Sequence, residues 1–167
     1  MSILDIRVLG DPILRQSTVP VQQITDDLRT LVADMFETMH HARGIGLAAP
    51  QVGRTERLAV IEIEGEPLVV INPEIVETSS GKAKAEEGCL SIPDIHEDVE
   101  RPARVRVKFL DLDGNPHEEE AAGLYATCIQ HEIDHLNGVL FIDHISRLKR
   151  DRIVKKFSKA AKKAAAE

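Results

Sequence analysis

Two histidines four residues apart are the strongest chemical signal in this sequence of 167 residues. They bound the segment His131-Glu132-Ile133-Asp134-His135, an H-E-x-x-H pattern inside a stretch whose periodicity predicts a helix. Side chains at positions i and i+4 of a helix project from the same side, so two imidazole nitrogens can reach one metal ion. Glu132 lies beside the first histidine and can reach a water molecule at that ion. The spacing therefore indicates metal-dependent hydrolysis.

The third metal ligand is not decided by this motif. A catalytic metal ion usually has three protein ligands and keeps one position for water. One zinc-protease pattern takes its third ligand from a histidine six residues after the second, but Phe141 stands at that place and disfavours this class. The remaining candidates are His144, Asp143, Cys128 and Cys89. Cys128 lies on the same helix, less than a turn before His131, and is interpreted as a small packed residue that supports the site, whereas Cys89 lies in an upstream segment that could fold over the helix.

Three helices are predicted, and the second of them contains the H-E-x-x-H motif. The first follows the capping residue Thr25 and ends at Gly44, which we expect to take the left-handed conformation. The second runs from Gly123 to Asn137 and is closed by Gly138. The last begins at Ser146. Its predicted buried face comprises Leu148, Ile153, Val154 and Phe157.

Short apolar runs predict strands between the first two helices. They cover residues 58–63, 68–71 and 104–109, and a hairpin turn is expected after the last of them. Residues 44–51 are interpreted as irregular backbone and residues 78–87 as a loop. Because helices and strands do not alternate, the predicted class is α+β, with an N-terminal helix, antiparallel sheets around a central metal-binding helix, and a C-terminal helix.

Length and composition predict one catalytic domain over residues 1–167. No apolar run is long enough to span a bilayer and no signal peptide is recognised, so neither a membrane nor secretion is expected. Two cysteines are too few for a disulfide framework and favour a reducing compartment. The net charge of −7 argues against DNA as a partner.

The charge is unevenly distributed along the chain. Residues 147–167 contain nine of the 21 basic residues and two of the 28 acidic ones, so this segment carries +7 and the rest of the chain −14. Such asymmetry indicates either an interaction tail or a solvated helix end.

Three segments together resemble the signature motifs of peptide deformylases, in the same order along the chain. They are Gly44-Ile45-Gly46-Leu47-Ala48-Ala49-Pro50-Gln51, Glu87-Gly88-Cys89-Leu90-Ser91 and Gln130-His131-Glu132-Ile133-Asp134-His135. The resemblance extends over nearly the whole chain, including a basic C-terminal helix like that of bacterial members. It implies hydrolysis of the N-formyl group from the N-terminal formyl-methionine of newly synthesised polypeptides, with release of formate.

The resemblance also assigns roles to individual residues. It implies Cys89 as the third metal ligand beside His131 and His135, with Glu132 moving the proton between water and the leaving amine. It assigns the Gln51 side-chain amide and the Leu90 backbone N–H to the oxyanion. The methionine pocket should involve Ile45, Gly46, Gly88, Leu124, Tyr125 and His131.

The cofactor and partners follow from the same resemblance. A thiolate with two imidazoles suits Zn, Fe, Co or Ni by ligand type, and the family favours Fe(II), with Zn, Ni or Co possible in purified protein. The partners implied are formyl-Met nascent peptides and the ribosome near its exit tunnel, reached through the basic helix, in a bacterial cytoplasm.

Two other functions also accommodate part of the sequence. A metalloendopeptidase would share H-E-x-x-H but would need a long groove on both sides of the scissile bond. A non-enzymatic module that associates with ribosomes or stores metal would explain the basic tail without using Glu132. Neither explains why three separate motifs coincide.

Overall fold

The first helix, α1 (Asp26–His41), is an amphipathic cover over the core. A computed structural model describes residues 2–166, with side chains through residue 159. The Thr25 side chain accepts a hydrogen bond from the Leu28 N–H at 3.2 Å and begins α1 as predicted. The left-handed residue after α1 is Arg43, with φ of 60°, so the prediction that Gly44 takes this conformation is wrong. Gly44 instead allows the Leu90 side chain to pack closely against the backbone, since a Cβ at this position would lie 2.7 Å from Leu90 Cδ1.

Seven strands form two antiparallel units. They are β1 (Gly46–Ala48), β2 (Leu58–Ile63), β3 (Glu66–Thr78), β4 (Lys82–Cys89), β5 (Ile92–Pro102), β6 (Arg104–Leu110) and β7 (Pro116–Ala122). Five of them make a sheet in the order β1-β2-β3-β6-β7, and β4 pairs with β5 as a separate hairpin. The three predicted strand regions are confirmed, and β3 continues well beyond the predicted run.

Two stretches expected to be irregular are regular. Residues 78–87 were expected to form a loop, but β4 spans most of them and pairs with β5 from Lys82↔Pro102 to Cys89↔Ile92. Pairing with a partner strand overrides the low strand propensity of this small, polar segment. Residues 46–48 form β1 at the sheet edge, and a 3₁₀ helix, Ala49–Val52, follows it.

The second helix, α2 (Gly123–Leu136), packs against the five-stranded sheet. Its residues Ile129, Ile133 and Leu136 are buried against sheet side chains that include Val70 and Val107. Gly138 closes it with φ of 75°, and a Cβ there would lie 2.5 Å from the Arg15 carbonyl oxygen. Helix α2 thus holds the H-E-x-x-H residues against the five-stranded sheet, with the β4–β5 hairpin beside them.

The last helix, α3 (Arg147–Ala166), follows a 3₁₀ helix, Phe141–His144. Ile153 is buried and Phe157 is half-buried in a cluster with side chains of the hairpin, as predicted. Leu148 and Val154 are 64% and 42% exposed, so their predicted burial is wrong. The side chains of Lys162 and Lys163, like Met1 and Glu167, lie outside the described residues.

The architecture confirms the predicted α+β class, with antiparallel strands and helices at both ends of the chain. Among the described residues, no helix combines the length and apolarity needed to cross a membrane.

Candidate metal centre

Three potential metal ligands converge where α2 passes the β4–β5 hairpin. His131 and His135 lie one turn apart on α2, and their Nε2 atoms are 3.1 Å apart. Cys89, the last residue of β4, places its Sγ 3.3 Å from His135 Nε2. One ligand atom from each of the three residues lies within 4.8 Å of the other two. The fold therefore brings together residues that are more than 40 positions apart in the sequence.

The donor set fits a divalent transition metal. In tetrahedral coordination with bonds of about 2.0–2.3 Å, neighbouring ligand atoms are about 3.3–3.8 Å apart. The observed separations of 3.1 and 3.3 Å are within a few tenths of an ångström of that geometry. Two imidazole nitrogens and one sulfur suit Zn, Fe, Co or Ni.

The other three candidates for the third ligand are engaged elsewhere. Asp143 pairs with Arg15 at 2.6 Å, and His144 lies 2.8 Å from Asp134. Cys128 is buried in α2, and burial raises the pKa of its thiol to about 12, which opposes the thiolate form a metal requires. Among the described residues, Cys89 alone joins the two histidines.

Glu87 supports His131 from behind. Its Oε1 lies 3.0 Å from His131 Nδ1, and Arg101 binds both of its carboxylate oxygens. Burial alone would raise the pKa of Glu87, but the hydrogen bonds and charges of Arg101 and His131 outweigh it and hold that pKa below its usual value. An ionised carboxylate only accepts hydrogen bonds, so His131 Nδ1 carries the proton and Nε2 keeps its lone pair for a metal.

Glu132 is buried on the cavity side of α2, against β1. A methyl group in place of the Gly46 hydrogen would overlap Glu132 Oε2, so glycine is required for this approach. Burial raises the pKa of Glu132 to about 7. Its Oε1 is buried and has no hydrogen-bond partner among the described residues. A carboxyl group in this environment is suited to accept and release a proton near neutral pH.

Gln51 is buried with its amide directed at the ligand cluster. Its Oε1 accepts the Ala48 N–H at 2.9 Å, so Nε2 faces the opposite way. Nε2 lies 3.1 Å from Ser91 Oγ and 3.5 Å from Cys89 Sγ. Leu90 follows Cys89 in the turn that joins β4 to β5, where its N–H makes no hydrogen bond to another described residue. Both groups can therefore donate toward a reacting oxygen beside the three ligands.

A cavity of about 520 Å³ opens onto this centre. Of the residues predicted to bind substrate, Ile45, Gly46, Gly88 and Leu124 line it, as does His131. Tyr125 does not: its ring packs on the sheet side of α2 and its hydroxyl donates to Glu119 at 2.7 Å. One step along the helix rotates the side chain by about 100°, which turns Tyr125 from the cavity wall formed by Leu124 toward the sheet, and the assignment of Tyr125 is corrected.

The sequence did not predict several residues that line the cavity. It also did not predict that Arg101 contacts Glu87, which lies beside His131. The unpredicted lining residues include Ala42, Arg43, Glu86, Pro93 and Asp94. The register of the hairpin, which pairs Gly88 with His96, brings two of these segments together. No local pattern marks Arg101 as a neighbour of Glu87. Glu87 itself was visible within the second motif, beside a cysteine.

Comparisons with known proteins identify the family. A model of the polypeptide deformylase family matches residues 3–151. The chain belongs to the polypeptide deformylase family. Peptide deformylases of Afipia carboxidovorans and Nitrobacter hamburgensis are 59% and 57% identical to it, each over 99% of both chains. The crystal structure of the Legionella pneumophila deformylase superposes with a TM-score of 0.91 at 47% identity, covering 99% of both chains.

Membership decides between the functions considered above. A deformylase is a hydrolase that removes the N-formyl group from newly synthesised polypeptides, and the chain matches deformylases over almost its full length. The metalloendopeptidase and the non-enzymatic module are thereby set aside. The Ehrlichia chaffeensis deformylase, 43% identical with a TM-score of 0.91 over 96% of this chain and 98% of its own, was solved in complex with actinonin.

Proposed function

We propose that Cys89, His131 and His135 together hold one divalent metal ion, and that Glu132, Gln51 and Leu90 carry out deformylation beside it. The observation that carries this proposal is the convergence of one sulfur and two imidazole nitrogens next to a buried carboxyl group, at the floor of a cavity. The physiological ion we propose is Fe(II). Zn, Ni or Co can occupy the same donor set in purified protein.

A divalent ion supplies activation of water by lowering its pKa. The Glu132 carboxylate takes a proton from the attacking water and delivers it to the methionine nitrogen as the formyl C–N bond breaks. The Gln51 Nε2 and the Leu90 N–H donate hydrogen bonds to the formyl oxygen while it carries negative charge. Gln51 performs this role in a fixed orientation, because its Oε1 is held by the Ala48 N–H.

The methionine side chain occupies the apolar part of the cavity in this proposal. Ile45 and Leu124 are 45% and 55% exposed, although both are large and apolar, and both line the cavity. Covering such surface is favourable by roughly 25 cal/mol per Å². Gly46 and Gly88 also line the cavity, where Glu132 Oε2 and the His96 ring fill the space that a side chain at either position would take.

Formate release tests the activity directly. Purified protein loaded with Fe(II) under anaerobic conditions should release formate from a formyl-Met tripeptide and none from the acetylated analogue. Oxygen must be excluded because iron beside a thiolate promotes oxidation of the cysteine. Absence of formate from protein that retains one equivalent of metal would refute the proposed activity.

The two cysteines provide a matched test of the ligand set. Cys89→Asp replaces a thiolate by a harder carboxylate, so we expect metal preference and activity to change while the fold is retained. Cys128→Ser should cost only a modest amount of packing. Measuring bound metal in both variants by elemental analysis separates the roles. A metal-sensitive Cys128 together with a neutral Cys89 would contradict the ligands named here.

The basic helix α3 is the part of the chain whose charge suits ribosomal RNA. We propose that it docks on the ribosome in a bacterial cytoplasm, where formyl-Met chains emerge. Lys155, Lys156 and Lys159 are exposed, on a segment of +7 attached to a body of −14. Phosphate contacts release counterions, so binding should weaken steeply as salt rises.

Charge reversal separates docking from folding better than truncation. Cutting the chain after Ser146 would also remove Ile153 and Phe157 from the cluster that backs Cys89. Exchanging Lys155, Lys156 and Lys159 for glutamate leaves that cluster intact. We expect loss of ribosome cosedimentation at low salt with unchanged hydrolysis of a small formyl-Met peptide. Unchanged cosedimentation would contradict the docking role and would mean that α3 is a solvated helix end.

A further inference from the structure

A row of charged side chains leads from the surface to the metal centre. Arg101 of β5 has a side chain only 7% exposed, and it lies between two carboxylates. Its Nε and Nη2 donate to Glu87 at 2.7 and 2.9 Å, and its Nη1 donates to Asp134 at 2.8 Å. Asp134 also lies 2.8 Å from Nε2 of His144, which is at the surface. The deformylation steps proposed above use neither Arg101 nor Asp134.

One oxygen links this row to the metal ligands. Glu87 Oε1 is bound by Arg101 Nη2 and lies 3.0 Å from His131 Nδ1. The planar guanidinium binds Glu87 through two parallel hydrogen bonds and therefore fixes the plane of the carboxylate. That plane determines the direction in which His131 Nδ1 must point, and so the direction of the Nε2 lone pair on the opposite side of the ring.

Asp134 accepts a hydrogen bond from Nη1, the guanidinium nitrogen of Arg101 that does not bind Glu87. A buried arginine between two carboxylates is satisfied on both sides, whereas loss of one partner leaves a buried charge free to reorient. Asp134 comes from α2, the helix of His131 and His135, while Arg101 and Glu87 come from the hairpin of Cys89. The Arg101–Asp134 pair therefore connects the two elements that supply the ligands.

We propose that Arg101 and Asp134 are positioning residues for deformylation, which act through Glu87 to orient His131 toward the metal ion. The inference rests on the proposed ligand set of Cys89, His131 and His135. His144 lies at the surface end of the row, where its Nε2 contacts the same Asp134 Oδ2 that Arg101 binds.

A neighbouring ion pair supplies a matched control. Arg15 and Asp143 are joined by two hydrogen bonds, at 2.6 and 3.1 Å, and Asp143 belongs to the same 3₁₀ helix as His144. This pair has no contact with Glu87 among its described hydrogen bonds. Asp143→Asn thus removes an arginine–aspartate pair from the same region without disturbing the support of His131.

The test measures metal affinity apart from turnover. Wild type, Asp134→Asn, Arg101→Gln, Arg101→Lys and Asp143→Asn are each titrated with Co²⁺ against a competing chelator, with thiolate-to-metal absorption as the readout. Changes to groups that support a metal ligand typically weaken binding about 10–100-fold. We expect that loss for Asp134→Asn and Arg101→Gln and a smaller one for Arg101→Lys. In the same variants kcat should fall while KM stays within about twofold of wild type.

The control variant, Asp143→Asn, shows which results would contradict the inference. Asp143→Asn should lower Tm but bind Co²⁺ as wild type does. Wild-type affinity in Asp134→Asn, or in a folded Arg101→Gln, would overturn the inference, and so would an equal loss in Asp143→Asn. Asp134 is partly exposed, so its variant serves if Arg101→Gln fails to fold. If wild type shows no thiolate absorption with Co²⁺, the proposed ligand set itself fails, which is a different result from unchanged variants.

Discussion

Helices α2 and α3 differ in how they use polar side chains. In α2, Gln130, His131, Glu132 and His135 are buried, and the sheet and the hairpin surround them. In α3, Ile153 is the only buried side chain through residue 159, and the lysines up to that residue are exposed. Burial makes each polar group of α2 sensitive to its partners, because unsatisfied groups are costly there. The charges of α3 act through their sum, so no single lysine is decisive.

The largest expected difference between the helices is in catalysis. Glu132→Gln removes the group proposed to move the proton and should lower kcat by about 10²–10⁴-fold, with bound metal unchanged. Lys156→Gln, which also replaces a charged side chain by an amide, should leave kcat for a small formyl-Met peptide unchanged. Formate release and elemental analysis of both variants make the comparison. Near wild-type turnover in Glu132→Gln would remove Glu132 from the mechanism.

A second difference lies within α3 itself. Ile153 is 6% exposed in the cluster beside Cys89, whereas Leu148 is 64% exposed. Ile153→Ala should lower the free energy of unfolding by about 2–5 kcal/mol through lost burial and a cavity. Leu148→Ala should change it by less than about 0.5 kcal/mol. Urea unfolding measures both. Equal losses would mean that the two faces of α3 are not distinguished by packing.

The smallest expected effect concerns the junction before α3. Burial by itself would raise the pKa of Asp143, but hydrogen bonds from Arg15 and the Leu140 N–H, with the charges of Arg15 and Arg150, lower it overall. A lowered folded-state pKa stabilises the fold above the unfolded value of about 3.9, and this stability is lost as pH falls through the folded value.

Replacing Asp143 by asparagine should therefore lower the free energy of unfolding by less than about 1 kcal/mol near pH 6. The difference from wild type should shrink as the pH is lowered toward 3. Urea unfolding at several pH values measures this, and a difference that grows on acidification would contradict the assignment.

Local sequence signals predicted the helices better than the hairpin. Thr25 and the apolar spacing of residues 28–39 specify α1 within the chain itself, because a helix forms its hydrogen bonds locally. Strand β4 has no such signal, since its residues are small and polar and its hydrogen bonds depend on β5. Tyr125 shows a similar limit: the resemblance assigned it to the cavity together with its neighbour Leu124, but the rotation of one residue along the helix directs its side chain to the sheet.

By itself, the sequence indicated the two histidines on α2 as metal ligands and Glu132 between them as the acid–base residue, and it determined the family and the charge of α3, because these depend on spacing within one element, on motifs or on composition. The tertiary structure decided which side chains of α3 are buried and that Arg101 lies between Glu87 and Asp134, and it places Cys89, the ligand that the resemblance implied, and not Cys128, beside the two histidines. Those features depend on strand register and on contacts between residues distant in the chain, and no local pattern encodes the distance between them.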